Sequence, residues 1–297
     1  MKKLIVTGAT GSIGCAIVRK ALKHGYDVTC IVHKGSKRVD NIVKDDNVHI
    51  VECDVSDYAG FTIEGKYDIF IHLAWEHTYG EQRDNVDIQT RNIQYTLEAC
   101  RLAHRLGCTS FVGAGSQAEY GPKDVVLTPD LPVQPESGYG IAKYAAGKLS
   151  LMLCKQLGLK GYWIRIVSVF GPYDGANTLV NYTINELKAG RSPKLTKCEQ
   201  LWDYLYADDA AEAFIAVGER GVDGKTYVLG SGQQRRLSEY ILDIKSVINK
   251  DVDVDFGAIG YYPHQPMFLL ADIKELCGNT GWQPKVSFTE GIKDMQK

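Results

Sequence analysis

The chain reads as an α/β protein: a doubly wound parallel sheet with a smaller C-terminal lobe. Three observations predict it. An unbroken apolar run, Lys3 to Thr7, passes directly into Gly8-Ala-Thr-Gly11-Ser-Ile-Gly14, and apolar residues then recur at helical spacing from Cys15 to His24. Strand-like and helix-like segments alternate from there to about residue 171. Beyond Pro172 the alternation is lost.

The first strand shows no polar alternation, as a strand buried on both faces requires. In the turn after it, Gly8 permits the sharp reversal, Gly11 lets the backbone approach a pyrophosphate, and Gly14 lets helix and strand pack closely. Phosphates would then meet the orphan N–H groups at the helix start, around Ser12 and Ile13. The spacing is G-x-x-G-x-x-G, and its strand–turn–helix context points to a Rossmann-type dinucleotide site. The second strand, Asp27 to Val32, ends where such a fold selects its cofactor. An acidic residue there would take the ribose 2′-OH of NAD. This chain has His33, Lys34, Lys37 and Arg38 instead, so NADP(H) is expected in preference to NAD(H).

The third strand, Val48 to Cys53, delivers Asp54 toward an adenine amino group and Val55 toward the ring face. The fourth, Tyr67 to His72, ends in Leu73-Ala74, small enough for backbone to lie against the cofactor. The strand-end position of His72 reads as a packed histidine, and neither it nor His77 is taken as a base or ligand. Asn85 to Leu106 is one long helix stopped by Gly107. The fifth strand, Thr109 to Gly113, leads to Ser116 at its carboxyl end, where open α/β sheets bind ligands. The proline-rich stretch from Thr128 to Gly138 is a loop. A helix from Tyr139 to about Leu157 follows, and then a sixth strand from Tyr162 to Val169.

Tyr139 and Lys143 stand four residues apart, on one face of that helix. An ammonium beside a phenol favours the phenolate, so Lys143 is expected to lower the Tyr139 pKa from about 10. A phenol tuned in this way can exchange a proton with a carbonyl or alcohol. The Ser116 hydroxyl would hold the reacting oxygen against it.

Composition sets the limits. The 297 residues are 44% hydrophobic and 24% charged, ordinary for a folded domain. A formal net charge of -2 offers no basic surface for nucleic acid or anionic membrane. No apolar run of about 18 residues appears. The start, Met1 to Val6, reads as strand and not as a leader, so a cytoplasmic protein is expected. The 8 cysteines form no C-x-x-C and lie mostly in apolar stretches, which implies reduced core residues and no metal site.

Taken together, the motifs resemble the extended short-chain dehydrogenase/reductase family of nucleotide-sugar epimerases, dehydratases and reductases. The resemblance rests on Thr7 to Gly14, Asp54, His72-Leu-Ala74, Ser116, Tyr139-x-x-x-Lys143, Arg165 through Gly171-Pro172, Asp203 to Asp209, and Gly281-Trp-Gln-Pro284. It implies Tyr139 as acid/base, Lys143 as a hold on the nicotinamide ribose, Ser116 on the reacting oxygen, and Ser168 beside the cofactor. For substrate it implies contacts by Gln117, Asn177, Trp202 and Arg235. A homodimer through the two long helices follows by the same analogy.

The departures from the family pattern select among its reactions. Ala118 stands where dehydratases carry an acid, and the neighbouring Glu119 is expected to point elsewhere. Trp202 and His264 stand at usual arginine places, which leaves Lys194, Arg191, Arg235 and Arg236 as candidate diphosphate grips. Trp202, Tyr261 and Tyr262 are candidates to stack on a base or sugar. The expected function is an NADPH-dependent reductase of a nucleoside-diphosphate 4-keto-6-deoxyhexose. The alternatives are an NAD-dependent C4 epimerase and a catalytically idle NADP(H)-binding sensor or scaffold. The expected division is residues 1-171 plus about 203-229 for the dinucleotide domain, with about 172-202 and 230-297 forming the substrate lobe.

Overall fold

The computed structural model describes residues 1–262 and 265–297, so His264 lies outside the described residues. In chain order the elements begin β1 (Lys3–Thr7), α1 (Ser12–Lys23), β2 (Asp27–Val32), β3 (Val48–Glu52) and β4 (Ile69–His72). Next come α2 (Val86–Arg105), β5 (Ser110–Ser116), α3 (Gly138–Leu157), β6 (Lys160–Ile166) and β7 (Val169–Phe170). The rest are α4 (Leu179–Lys188), β8 (Lys194–Leu195), β9 (Leu201–Trp202), β10 (Leu205–Tyr206), α5 (Ala207–Arg220) and β11 (Thr226–Leu229), followed by β12 (Arg235–Arg236), α6 (Leu237–Ile248), β13 (Asp255–Phe256), α7 (Lys274–Thr280) and α8 (Phe288–Asp294).

Seven strands form one parallel sheet in the order β11-β6-β5-β4-β1-β2-β3. The order reverses between β1 and β4, and the crevice at their carboxyl ends is where such sheets bind ligands. The expected Rossmann-type architecture is present. Apolar side chains on the two faces of each central strand explain it. Leu4 and Val6 pack under α1 and α5, while Ile5, with Phe70 and Phe111, packs toward α2 and α3.

A third core lies in the C-terminal half, where Val180, Ile184 and Leu187 of α4 meet Tyr240, Ile241 and Ile244 of α6 and Phe288 of α8. Asp203 joins this region to the sheet. Its buried carboxylate accepts from Ser231 N, Gly232 N and Ala271 N at 2.7–3.1 Å. Leu276 and Trp282 pack back into the sheet's own core.

Three boundaries differ from expectation. β5 continues to Ser116, so the serine is the last strand residue and not part of the following loop. The sixth strand stops at Ile166. Val169–Phe170 pairs separately with β10, because the chain there leaves the sheet for the lobe. Val252 to Phe256 alternates in sequence like a short strand, and of it only Asp255–Phe256 finds a partner strand. Seven cysteines are buried, and no disulfide forms among the described residues.

Candidate active site

The dinucleotide groove starts at the glycine turn. Gly8 sits at φ +70°, and a β-carbon there would come within 2.9 Å of Ala74 N, so only glycine lets Leu73-Ala74 lie against the turn. A β-carbon on Gly14 would meet Gly8 O at 2.3 Å, whereas one on Gly11 would have 3.6 Å. Gly11 thus leaves space over the start of α1, where backbone N–H groups lack helical partners. Ser12 Oγ is buried beside it and has no hydrogen-bond partner among the described residues. An orphan hydroxyl and open helix N–H groups fit a phosphate-bearing cofactor. Arg38, Asp54, Val55, Leu73 and Ala74 line the same groove, together with Trp75 and His77.

The residues at the end of β2 are already occupied. His33 pairs with Asp54, and Lys34 turns its ammonium to Asp57 at 2.6 Å. Asp54 also accepts from Lys34 N at 3.0 Å; both contacts fall on Oδ1, and the residue lines the groove. Arg38 lines the groove while donating to Tyr173 O at 2.8 Å. Of the expected cationic clamp, His33 and Arg38 line the groove and Lys34 does not.

Ser116, Tyr139 and Lys143 are brought together by two close backbone approaches. Ser116 caps the single turn at Gln117–Glu119, its hydroxyl accepting from Ala118 N at 3.2 Å. Gly140 presses α3 against that turn, since a β-carbon there would lie 2.3 Å from Ala118 O. Tyr139 thereby occupies the first turn of α3, which is capped by Ser137 through Gly140 N at 3.0 Å. Glu119 points away from the site, as expected. It accepts from Ser116 N, Trp163 Nε1 and Arg165 Nε at 2.7–2.9 Å, fully buried. A buried carboxylate satisfied on both oxygens is a scaffold for the Ser116 turn and no proton donor.

The electrostatics correct one expectation. Burial pushes the Tyr139 phenol above its ordinary value, with the Ser116 hydroxyl and then the Arg83 guanidinium pulling the other way. Lys143 stands one turn further along α3. Its Nζ donates to Ala114 O at 2.8 Å and lies 3.7 Å from the centre of the Trp75 ring and 5.7 Å from that of Tyr139. Burial brings Lys143 itself down to about 7. His72 is the packed histidine expected: its Nδ1 meets Thr7 Oγ1 at 2.8 Å, and burial holds its pKa at about 3.

Two residues of this site carry no motif. Trp75 sets the edge of its indole against the Tyr139 ring at 6.0 Å, with Nε1 donating to Gln89 Oε1 at 3.0 Å. Its place directly after Leu73-Ala74 was the available signal. Arg83 lies over the Tyr139 ring, 5.0 Å from its centre, and nothing in the sequence marks it.

The substrate candidates separate into three places. Gln117 lines a recess of about 300 Å³ with Ser116, Ala118 and Arg83. Asn177 and Trp202 line a larger pocket of about 580 Å³ in the lobe, with Lys194, Gln200 and Tyr262. Tyr261 turns aside to Glu199. Arg235 belongs to neither cavity, because Glu239 and Asp243 hold its guanidinium at 3.2 and 2.8 Å over the Tyr240 ring. Arg191 is likewise paired with Glu186. Ser168 lies at the break between β6 and β7, its carbonyl accepting from Leu205 N at 2.9 Å.

A glycine-turn groove beside a partly buried serine–tyrosine–lysine cluster defines a nicotinamide-dinucleotide enzyme scaffold. Residues 4–230 match the NAD dependent epimerase/dehydratase family. The chain belongs to that family, within the extended short-chain dehydrogenase/reductases. It is 27% identical to a UDP-glucose 4-epimerase of Mycolicibacterium smegmatis, covering 98% of this chain and 96% of that protein. It is 24% identical to a CDP-abequose synthase of Salmonella typhimurium, over 99% and 97% of the two. Among solved structures, a UDP-N-acetylglucosamine 4-epimerase from Methanobrevibacter ruminantium, in complex with UDP-N-acetylmuramic acid, superposes with a TM-score of 0.89 at 23% identity, over 99% of this chain and 96% of that one. A UDP-glucuronic acid 4-epimerase from Bacillus cereus in complex with NAD gives 0.82 at 21%, over 98% and 96%. No described helix is long and apolar enough to cross a membrane.

Proposed function

We propose that the protein is an NADPH-dependent reductase of a nucleoside-diphosphate 4-keto-6-deoxyhexose. The observation that carries hydride-transfer chemistry is the meeting of Ser116, Tyr139 and Lys143 between the glycine-turn groove and the Ser116 recess. Bound nicotinamide would supply the hydride, which no side chain can. The chain's own residues then have separate tasks. Tyr139 gives its phenolic proton to the oxygen of the carbonyl being reduced, and Ser116 holds that oxygen in reach. Lys143 would hold the nicotinamide ribose, while Gly11, Ser12, Ile13 and Gly14 would take the pyrophosphate. Val55, Leu73, Ala74 and Ser168 would flank the cofactor. Gln117 reaches the sugar, and Asn177 and Trp202 take the nucleotide in the lobe.

Ala118 at the place of a dehydratase acid supports reduction over elimination of water, because the neighbouring Glu119 is locked onto Arg165. Arg38 on the groove supports a 2′-phosphate. A second reading, an NAD-dependent C4 epimerase, draws on the engagement of His33 and Lys34 by Asp54 and Asp57, and on the relatives named as 4-epimerases. Homodimer formation draws on Ile141, Leu149 and Met152, exposed along one stripe of α3.

Titration with NADPH and NADH, followed by net cofactor oxidation with a panel of 4-keto-6-deoxy nucleotide sugars, separates the readings. Selective NADPH binding with stoichiometric oxidation is expected. Sugar interconversion without net oxidation, on tightly held NAD, would transfer the assignment to the epimerase. In either case Tyr139→Phe should lower turnover about 10²–10⁴-fold and leave dinucleotide binding intact. Full activity in that variant would remove Tyr139 from the mechanism.

A further inference from the structure

Lys143 is buried, and among the described residues no acid pairs with it. The acid whose field reaches it, Glu119, has both oxygens bound: one to Ser116 N and Trp163 Nε1, the other to Arg165 Nε. Burial pulls the ammonium down to about 7. The charge that favours the phenolate of Tyr139 and would hold the nicotinamide ribose is therefore close to being lost.

Three aromatic rings surround the ammonium instead of a carboxylate. Its Nζ lies 3.7 Å from the centre of the Trp75 ring, against 5.7 Å for Tyr139 and 5.9 Å for Trp163. Trp75 is thus the ring in direct contact with the charge. An indole face is the best aromatic partner for a cation, and the attraction grows when water is excluded. The indole is also held in that pose from behind. Its Nε1 donates to Gln89 Oε1 at 3.0 Å, and buried Gln89 donates in turn to His77 O at 3.1 Å.

We propose that Trp75 is a positioning residue for the reaction: its indole face is the partner that keeps the buried Lys143 ammonium charged beside the Tyr139 phenol. The proposal rests on the Ser116–Tyr139–Lys143 chemistry assigned above, and Trp75 acts through Lys143. The titratable groups of the surrounding elements do not take that part. Glu119, on the turn after β5, is bound to Arg165. His72, at the end of β4, is held neutral by burial, at about 3. Arg83, over the Tyr139 ring, and Arg165, over that of Tyr120, are themselves cations. Glu76, next in the chain after Trp75, lines the groove and forms no ion pair with Lys143 among the described residues.

The test is a double-mutant cycle of Trp75→Leu and Lys143→Met, read by denaturant unfolding of the full chain without cofactor at pH 6 and at pH 10. In the fold Lys143 carries its charge at pH 6 and has lost it at pH 10. The coupling should reach roughly five- to tenfold in the folding constant at pH 6 and vanish at pH 10. Trp75→Phe keeps an aromatic face and should retain part of it. A coupling absent at pH 6, or equal at both pH values, would overturn the proposal, because packing alone is indifferent to charge. Kinetics give a second reading. Trp75→Leu should lower turnover about twofold or less at pH 6 and toward tenfold at pH 8, as a lysine titrating about one unit lower loses its charge sooner. A deficit of one size at every pH, with weakened NADPH binding, would overturn the proposal and leave Trp75 as a wall of the cofactor site. If the unaltered protein turns over no nucleotide sugar, the functional reading has failed, and the unfolding cycle still decides whether the indole holds the charge.

Discussion

The two cavities of this protein, the dinucleotide groove and the lobe pocket, are built from different materials. One wall of the groove is backbone and small residues, Gly8, Ala9 and Gly11 at the turn with Ala74 after β4, while Arg38, Tyr58 and Trp75 close it elsewhere. The lobe pocket is walled by side chains, among them Leu179, Tyr182, Trp202, Tyr204 and Tyr262, which project from short elements and loops. A wall of backbone recognises what every cofactor of a class shares. A wall of side chains is rebuilt by single substitutions and so carries the choice of substrate.

Substitutions can break or sharpen that contrast. The largest effect is expected in the groove. Gly14→Ala forces a β-carbon against Gly8 O and should cost about 2–3 kcal/mol of stability, whereas Gly11→Ala has room and should fold normally while weakening dinucleotide binding. Thermal unfolding and calorimetric titration of the two variants check both arms. Equal destabilisation by both would mean that the groove is not backbone-built in the sense argued.

In the lobe, Trp202→Ala should weaken nucleotide-sugar binding about tenfold, the loss of one aromatic contact, with dinucleotide affinity unchanged. Coupled losses for both ligands would show that the cavities are not independent.

A further effect concerns Lys143, buried against Trp75 beside the groove. Its pKa falls from 10.5 to about 7 on burial. Above 10.5 neither state carries the charge. As the pH drops toward 7 the unfolded chain takes up a proton that the folded chain resists, so stability present at high pH is lost across that window. Lys143→Met removes the penalty and should stabilise the cofactor-free protein by about 1–3 kcal/mol near pH 7. That gap should close as the pH is raised toward 10. A variant no more stable at pH 7 would show that the Trp75 face and Ala114 O already offset the burial.

Much of this site was legible in the sequence because its parts are short-range. A glycine turn between strand and helix, and a tyrosine and lysine one helical turn apart, are local patterns with fixed geometric consequences. Ser116 could be placed because a strand end is a position, even though β5 proved to run three residues further than its apolar pattern. Arg83 and Trp75 were not legible. Their roles depend on a clasp between Asp84 and Gly138, 54 residues apart, and on an indole turned toward α3. The contacts that Lys143 makes beyond the tyrosine were not legible for a related reason. Helical spacing fixes where a lysine starts, but its long side chain ends on whichever acceptor and ring face the tertiary fold provides. Lys34 and Arg235 are paired with acids, Asp57 across two strands and Glu239 and Asp243 within the next turns of chain, which the expected charge roles did not take into account.

The buried indole of Trp163 has a further consequence. Gly113 and Gly115 on β5 and Gly147 on α3 all face it, and a β-carbon at any of them would come within 2.3–2.7 Å of its atoms. The ring thus works as a gauge block between strand and helix, setting the gap across which Ser116 and Tyr139 must meet. Such a spacer ties four positions into one heritable unit. No member can enlarge or shrink alone without altering that gap, so a lineage that changes the indole must change the glycines with it, and the reach between hydroxyl and phenol is inherited through residues that touch neither.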